Sequence, residues 1–514
     1  MKRRRFLQTS AASLLTGCSQ RLVLPHDLPL PMTEIISRMA SGSLSSVELM
    51  RHCLGRIERL DRVGLELRAV IELHPDAMAM AAQSDLSKTS LPLRGLPILI
   101  KDNIETADAM LTTAGSLALV DAPKPKQDAE IVWLLREAGA LIFGKTNLSE
   151  WANIRSSDSS SGWSARGGLT RNPHKLTHSA SGSSSGSAVA VAMGFCAAAI
   201  GTETNGSIIS PASACGIVGL KPTVGRVSRN GIIPITHWQD TAGPMTLTVR
   251  DAALLMNVIS GMDSSDVPVL KQPDGLEYDH TALMGSDALR GVRLGVVRDL
   301  CGKNQEVLAL FEQSLKMLRQ EGAILIDIVT LPNHREAGGL AWKAMLTEFR
   351  ADINSYLKAR GGNIRSLADV IAFNIKHRDS ELPFFGQDLF EKAESQGTTE
   401  ATDEAKQARA IALRLAGPEG IDAVIQEHQL DALICPTNDP IQRITLSKGD
   451  THVRCACDPA AVAGYPHLTV PMGLVAGLPV GLSFFGRAWT EPQLLAYGEA
   501  FERIMPARVQ PAMA

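Results

Sequence analysis

Apolar positions fall at three-to-four spacing from Val47 through Leu54, Ile57 and Leu60, behind a polar start at Ser45-Ser46, and this predicts an amphipathic helix. A short continuous apolar run, Leu96-Pro97-Ile98-Leu99-Ile100, predicts a buried strand that ends directly in Lys101-Asp102-Asn103. Ile131 to Leu135 predicts a helix and Ala140 to Gly144 a strand. Further along, strands are expected at 292–297 and 431–437, a helix at 305–321, and a late strand pair at 468–472 and 480–485. Alternation of strand and helix argues for an α/β fold with a central mixed β-sheet surrounded by α-helices. Residues 337–407 read as mostly helical, a segment suited to covering a substrate cleft.

Between Ser156 and Ser187 the pattern dissolves into Ser and Gly. A flexible linker has such a composition. Trp163, Arg166 and Asn172-Pro173 interrupt the tract, however, and Ala188-Val189-Ala190-Val191-Ala192-Met193 follows it as a small-residue helix, so an ordered segment is expected. With 45% hydrophobic and 20% charged residues the whole chain reads as globular. Its net charge of −3 lacks the electrostatic footprint of a nucleic-acid binder, and that class is set aside.

Three segments place reactive residues in unusual settings. A lysine at the end of an apolar strand is open to desolvation, which disfavours the ammonium and makes Lys101 a candidate base. Gly182-Ser183-Ser184-Ser185-Gly186 crowds hydroxyls into a glycine-flanked turn. Thr204-Asn205-Gly206-Ser207 offers consecutive backbone N–H groups converging near a hydroxyl, the geometry that an oxyanion hole requires. Each segment alone is weak evidence.

In this order, and together with Gly95 to Asn103, Thr113-Ala114-Gly115-Ser116, Gly144 to Trp151, Gly216 to Thr223 and Gly477 to Leu482, the segments resemble the amidase-signature family over most of the chain. Gly162 to Gly168, Thr202 to Ser207 and Ala463 to Pro471 are most similar to bacterial peptide amidases, which remove the C-terminal amide of peptides. The resemblance implies the amidase-signature fold, Ser207 as nucleophile, Lys101 as base and Ser183 as the bridging serine after a cis peptide bond. It further implies Ser184 as a supporting hydrogen-bonding neighbour and the N–H groups of Thr204, Asn205, Gly206 and Ser207 as the oxyanion hole. The implied partner is a small-molecule or peptide amide, with no cofactor and no metal. Two positions depart from the family, Asn205 where Gly is frequent and Ile209 where a polar or basic residue is frequent; both bear on substrate choice.

Other readings compete. Gly182 to Gly186 also fits the elbow of an α/β-hydrolase with Ser184 as nucleophile, but no apolar strand precedes it. Ser355-Tyr356-Leu357-Lys358 fits the Ser-x-x-Lys of penicillin-recognising enzymes without their companion motifs, and reads as a helix face. Two alternatives within the family's fold are an amidotransferase A subunit and a general small-amide amidase. A peptide-binding lipoprotein on an amidase scaffold is the non-enzymatic alternative.

At the start of the chain, Lys2-Arg3-Arg4-Arg5-Phe6-Leu7 followed by Leu15-Thr16-Gly17-Cys18 resembles a twin-arginine signal running into a lipoprotein cleavage box. The expectation is an export signal over 1–18, a single domain over 19–514, a periplasmic or lipid-anchored location in a bacterial envelope, and membrane contact only through a lipid on Cys18. Seven cysteines then remain, an odd number that argues against a disulfide framework. Cys455 and Cys457 are the one close pair, without partners at metal-binding spacing.

Overall fold

The computed structural model describes residues 29–512 apart from 88, 329, 451 and 452. Residues 1–18, with the expected leader and Cys18, lie outside the described residues. In chain order the main strands are β1 (Val70–Leu73), β2 (Pro97–Lys101), β3 (Leu141–Thr146), β4 (Ala198–Glu203), β5 (Val218–Lys221) and β6 (Thr241–Thr246). They continue with β7 (Arg293–Val297), β8 (Ile324–Ile328), β9 (Ala432–Pro436), β10 (His467–Val475) and β11 (Leu478–Phe485). Across the sheet the order is β1-β3-β2-β4-β6-β5-β10-β11-β9-β7-β8. The expected central mixed sheet surrounded by helices is observed. Strand pairs β2–β3, β2–β4, β7–β9 and β7–β8 are parallel, and the others are antiparallel.

β2 is buried along its whole length, which explains its continuous apolar run: a strand covered on both faces has no polar side to show. Ile98 pairs with Ala198 and Ile100 with Ile200, so Lys101 and Thr202 come out side by side at the same end of the sheet. In open α/β sheets the crevice beyond the strand ends is where ligands bind.

Helix Ser46–Arg56 begins with the hydrogen-bonding pair that its sequence advertises, the Ser45 side chain on the Glu48 N–H and the Glu48 carboxylate on the Ser45 N–H. Helices Glu130–Glu137 and Gln305–Gln320 fall where the apolar spacing places them. The helical segment is formed by His334–Arg360, Leu367–Lys376, Arg378–Glu381, Asp388–Ser395 and Thr399–Ala416. Ser355 and Lys358 lie exposed on the first of these, a helix face as expected. Arg155, fully buried, ties this segment to the core: its guanidinium meets the Glu150 carboxylate, donates to the Glu381 carbonyl (2.6 Å) and stacks over Phe385 at 4.2 Å.

The Ser/Gly tract is ordered. Asn147 binds it down, its amide donating to the carbonyls of Arg68 (3.2 Å) and Gly168 (3.1 Å) and its oxygen accepting from Ser164 Oγ (2.7 Å). Helix Ser185–Ala192 is buried on all sides, and its small side chains let the backbone run against β2, β3 and β4. At Gly186 an added Cβ would lie 2.3 Å from the Ala69 carbonyl oxygen and 2.5 Å from that of Asn147. Backbone cannot yield as a flexible side chain can. Gly186→Ala is therefore expected to cost about 3 kcal/mol of stability, read as a lower urea midpoint with unchanged slope; an unshifted midpoint would refute the close packing.

Two expectations need correction. Cys455 and Cys457 are joined as a disulfide, whereas the count of cysteines had argued for thiols. The closeness of the pair made a two-residue bridge geometrically available, which a parity argument does not see. Strands β1, β4, β5 and β8 were not foreseen, and neither was β6. It carries Pro244 in the middle of the sheet, opposite Ile200 on one neighbour, a position where a missing N–H usually rules a strand out.

Candidate active site

Lys101 closes β2 with its side chain wholly buried. Its Nζ lies 2.7 Å from Ser183 Oγ, 2.9 Å from Thr202 Oγ1 and 3.2 Å from the Thr202 carbonyl oxygen. Burial pushes the ammonium down from its ordinary 10.5 to about 7, against the pull of the Glu203 and Asp240 carboxylates. A neutral amine has two hydrogens and one lone pair. With both Thr202 oxygens taking the hydrogens, the lone pair is left for the Ser183 hydroxyl. Asn103 supports this arrangement by donating from Nδ2 to Thr202 Oγ1 (3.0 Å).

Next to the lysine, the neighbouring Asp102 carboxylate turns inward and gathers the Thr113 hydroxyl, the Gly115 N–H (3.1 Å) and Arg166 Nη1 (3.2 Å). The Thr113 to Ser116 motif is thus the cradle of a buried charge, which holds the end of β2 in place.

Ser183 follows a cis peptide bond from Gly182, as the resemblance implies. The backbone before it is held by hydroxyls: Ser181, at φ 61°, donates its N–H to Ser179 Oγ (3.0 Å), and its carbonyl accepts from Ser185 Oγ (2.5 Å). Ser149 spans the turn, its N–H on the Ser183 carbonyl (3.0 Å) and its Oγ accepting from the Gly162 N–H (2.8 Å). Ser184 Oγ donates to the Thr202 carbonyl (3.1 Å), and the Ser184 N–H donates to the Ser207 carbonyl (3.1 Å). Ser184 thereby links the strand carrying Thr202 to the turn carrying Ser207. Its hydroxyl is occupied and no base faces it, which removes the hydrolase-elbow reading.

Ser207 stands at the rim, 9% exposed, where Ser183 and Lys101 are fully covered. Among the described residues no hydrogen bond joins the Ser183 and Ser207 hydroxyls; the two serines are brought to one turn by the Ser184 backbone. Around Ser207 the decisive group is one that sequence reasoning missed. Glu203, 1% exposed, accepts from the N–H groups of Gly206 (2.8 Å), Ile208 (2.7 Å) and Ile209 (3.0 Å) and so folds the turn around its own carboxylate. This corrects one expected donor: the Gly206 N–H is committed to Glu203 and is not free for an oxyanion. Thr204, Asn205 and Ser207 remain as candidates. Thr204 is fixed by its hydroxyl on Asp240 (2.5 Å) and its carbonyl on Gln239 Nε2 (3.2 Å), and Asn205 by its amide on Asp458 (2.8 Å).

Lys101 is one of three lysines buried at strand ends. Burial lowers Lys145 and Lys221 as well, each to about 8. Their amines have other partners, Lys145 the Ile104 carbonyl (2.5 Å) and Thr112 (2.9 Å), Lys221 the Pro222 carbonyl (3.1 Å). Of the three, only Lys101 meets a serine among the described residues. Thr202 and Glu203 could have been found in the sequence as polar residues closing an apolar strand, but nothing there says which way they point.

The chain is similar to known proteins over most of its length. A family model described as Amidase matches residues 48–495. A probable amidase of Arabidopsis thaliana is 38% identical over 482 residues, 91% of this chain and 88% of the relative. A putative amidase of Schizosaccharomyces pombe is 37% identical over 507 residues, 92% and 85% of the two chains. Among solved structures, the native peptide amidase from Stenotrophomonas maltophilia superposes with a TM-score of 0.90 at 47% identity, covering 94% of this chain and 98% of that one. The plant and fission-yeast relatives overturn the expected address. Organisms without a bacterial envelope carry proteins alike over nine-tenths of the chain, so the exported, periplasmic or lipid-anchored location does not stand; among the described residues no helix is long and apolar enough to cross a membrane. With a family model over residues 48–495 and relatives matched over about nine-tenths of the chain, the protein belongs to the amidase family, hydrolases of the amide bond.

Proposed function

We propose that the chain hydrolyses the C-terminal carboxamide of peptides to a carboxylate and ammonia through an acyl-enzyme on Ser207. The observation that carries this reading is the buried Lys101 amine 2.7 Å from Ser183 Oγ with its two other bonds directed to Thr202. The likeness to a peptide amidase supports the substrate class.

A serine hydroxyl attacks a carbonyl only as a base removes its proton, and an amide nitrogen departs only as it gains one. One relay serves both needs. As Ser207 Oγ bonds to the carbonyl carbon its proton passes to Ser183, whose own proton passes to Lys101. The N–H groups of the turn receive the negative charge that develops on the carbonyl oxygen. Return of the proton through Ser183 to the nitrogen lets the C–N bond break and ammonia leave; water then adds to the ester by the same route and frees Ser207. The helical segment 337–407 covers the cleft in this proposal, since its Glu348 accepts from Arg409 (2.8 Å), which engages Gln239, which in turn holds the Thr204 carbonyl.

The test is an ammonia-release screen comparing peptide C-terminal amides with aliphatic and aromatic amides. Peptide amides are expected to lead in kcat/KM by about tenfold or more, an advantage of at least ~1.4 kcal/mol in transition-state binding. Equal rates on small amides would remove the substrate class and leave the amidase; no ammonia from any amide would remove the reaction.

A pH dependence follows from the same lysine. Its ammonium cannot accept a proton, and burial places the change near pH 7. Lys101 is protonated below that value, so kcat/KM is expected to rise about tenfold per pH unit on the acid side and level off above about pH 7. A profile flat from pH 5 to 9 would exclude Lys101 as the titrating base.

A further inference from the structure

We propose that Cys455 and Cys457 are a thiol–disulfide modification site through which a low-molecular-weight thiol adjusts the turn that carries Ser207. The inference rests on Ser207 as the nucleophile. It is carried by where the bridge lies. Gly206, at φ 81°, has no side chain, and a Cβ there would lie 3.2 Å from Cys457 Sγ and 3.9 Å from Cys455 Sγ. Both sulfurs therefore face the side of Gly206 that carries no side chain, Cys457 Sγ the nearer, beside the residue that precedes the nucleophile.

Two further links run from the bridge to the same turn. Cys457 immediately precedes helix Asp458–Ala463, whose first residue accepts from Asn205 Nδ2 at 2.8 Å. Cys455 pairs with Asn438, and Asn438 Oδ1 accepts from Ser213 Oγ (2.5 Å) on helix Ile209–Cys215, the helix that follows the nucleophile. The bridge thus touches the turn at Gly206, before it through Asn205 and after it through Ser213. The site is also reachable and chemically distinct. Cys455 is half-buried, whereas the other described cysteines, Cys53, Cys196, Cys215, Cys301 and Cys435, are buried free thiols. Burial raises all five, Cys53 to about 12 and Cys301 to about 11, which keeps them unreactive.

The exchange balances without any further reactant. A thiolate attacks Cys455 Sγ, the S–S bond breaks and Cys457 leaves as a thiolate that takes up a proton; a second thiolate displaces the mixed disulfide, so two thiols are oxidised to a disulfide as the protein gains two. Once freed, the two thiols need more room than the bridge, and that room lies on the bare side of Gly206 and along the Cys455–Asn438 and Asp458–Asn205 links to the turn. Bridged protein is the aligned state, and reduction displaces the turn and its N–H donors.

To test this, the full chain is equilibrated across glutathione and dithiothreitol buffers; the 455–457 peptide is followed by alkylation and mass spectrometry while ammonia release is measured on the same samples. We expect kcat to fall at least fivefold in step with reduction, KM to stay within twofold, and activity to return on reoxidation. Cys455→Ser should be held at the reduced level and ignore the buffer. Equal kcat for bridged and reduced protein, a response that persists in Cys455→Ser, or absence of the bridge at every poise would each overturn the proposal. If Cys455→Ser does not fold, the wild-type titration decides alone. Ser207→Ala separates this idea from the one beneath it: activity retained in that variant sinks the nucleophile, whatever the redox response of the native chain.

Discussion

Ser207→Ala is expected to lower kcat for ammonia release by about 10^5-fold or more, the scale on which loss of a nucleophile is felt in serine hydrolases. The substitution removes one oxygen at a site 9% exposed and leaves the Ser184 N–H on its carbonyl, so folding and substrate affinity should be preserved. Denaturant midpoint and equilibrium binding of a non-cleaved amide are the controls. A covalent intermediate gives a second reading of the same claim: native protein quenched during turnover should carry an acyl group on the peptide containing Ser207, and Ser207→Ala should carry none. Modification of another serine would move the assignment while keeping the reaction class.

Lys101→Met is expected to lower kcat by about 10^3 to 10^4-fold, the upper range for general acid–base catalysis, because the relay both removes the proton of the nucleophile and supplies that of the leaving group. Methionine keeps much of the volume and leaves no uncompensated charge in a fully buried place. Lys101→Arg should be as inactive, since a guanidinium stays protonated and has no lone pair to offer Ser183. In both variants the acid limb of the pH profile should vanish along with the rate. The double variant with Ser207→Ala should be barely slower than Ser207→Ala alone, because parts of one relay are not additive. A Lys101→Met protein within tenfold of native activity would show that the base is elsewhere.

The elements that were legible in the sequence are those whose pattern is local. β2 announces itself as an apolar run, the helices at 130–137 and 305–320 by their spacing, and the small-residue helix by its crowding of Ala and Val. β6 has no such local pattern, for Thr241-Ala242-Gly243-Pro244-Met245-Thr246 offers neither alternation nor a continuous apolar run. The site divides in the same way. Lys101, Ser183 and Ser207 were singled out because their motifs stand in a family's order. That Lys101, and not the equally buried Lys145 or Lys221, faces a serine is a matter of strand neighbours, set by the pairing of Ile100 with Ile200. Glu203 was missed because a carboxylate closing a strand points to water as readily as into a turn, and only the assembled chain aims it at Gly206. The disulfide was misjudged by counting where adjacency was the better guide.

The contrast in cover between the relay and the nucleophile also governs the order in which products depart. Lys101 and Ser183 are sealed from solvent and, of the three proposed residues, Ser207 alone reaches the rim, so on the proposed relay the nitrogen leaving group and the incoming water would share one doorway. Water cannot take its place until ammonia has gone. On the proposed relay the reaction is expected to be ordered, a ping-pong cycle in which ammonia departs first and the acid last, and a small nucleophile such as hydroxylamine should compete with water for the acyl group in between.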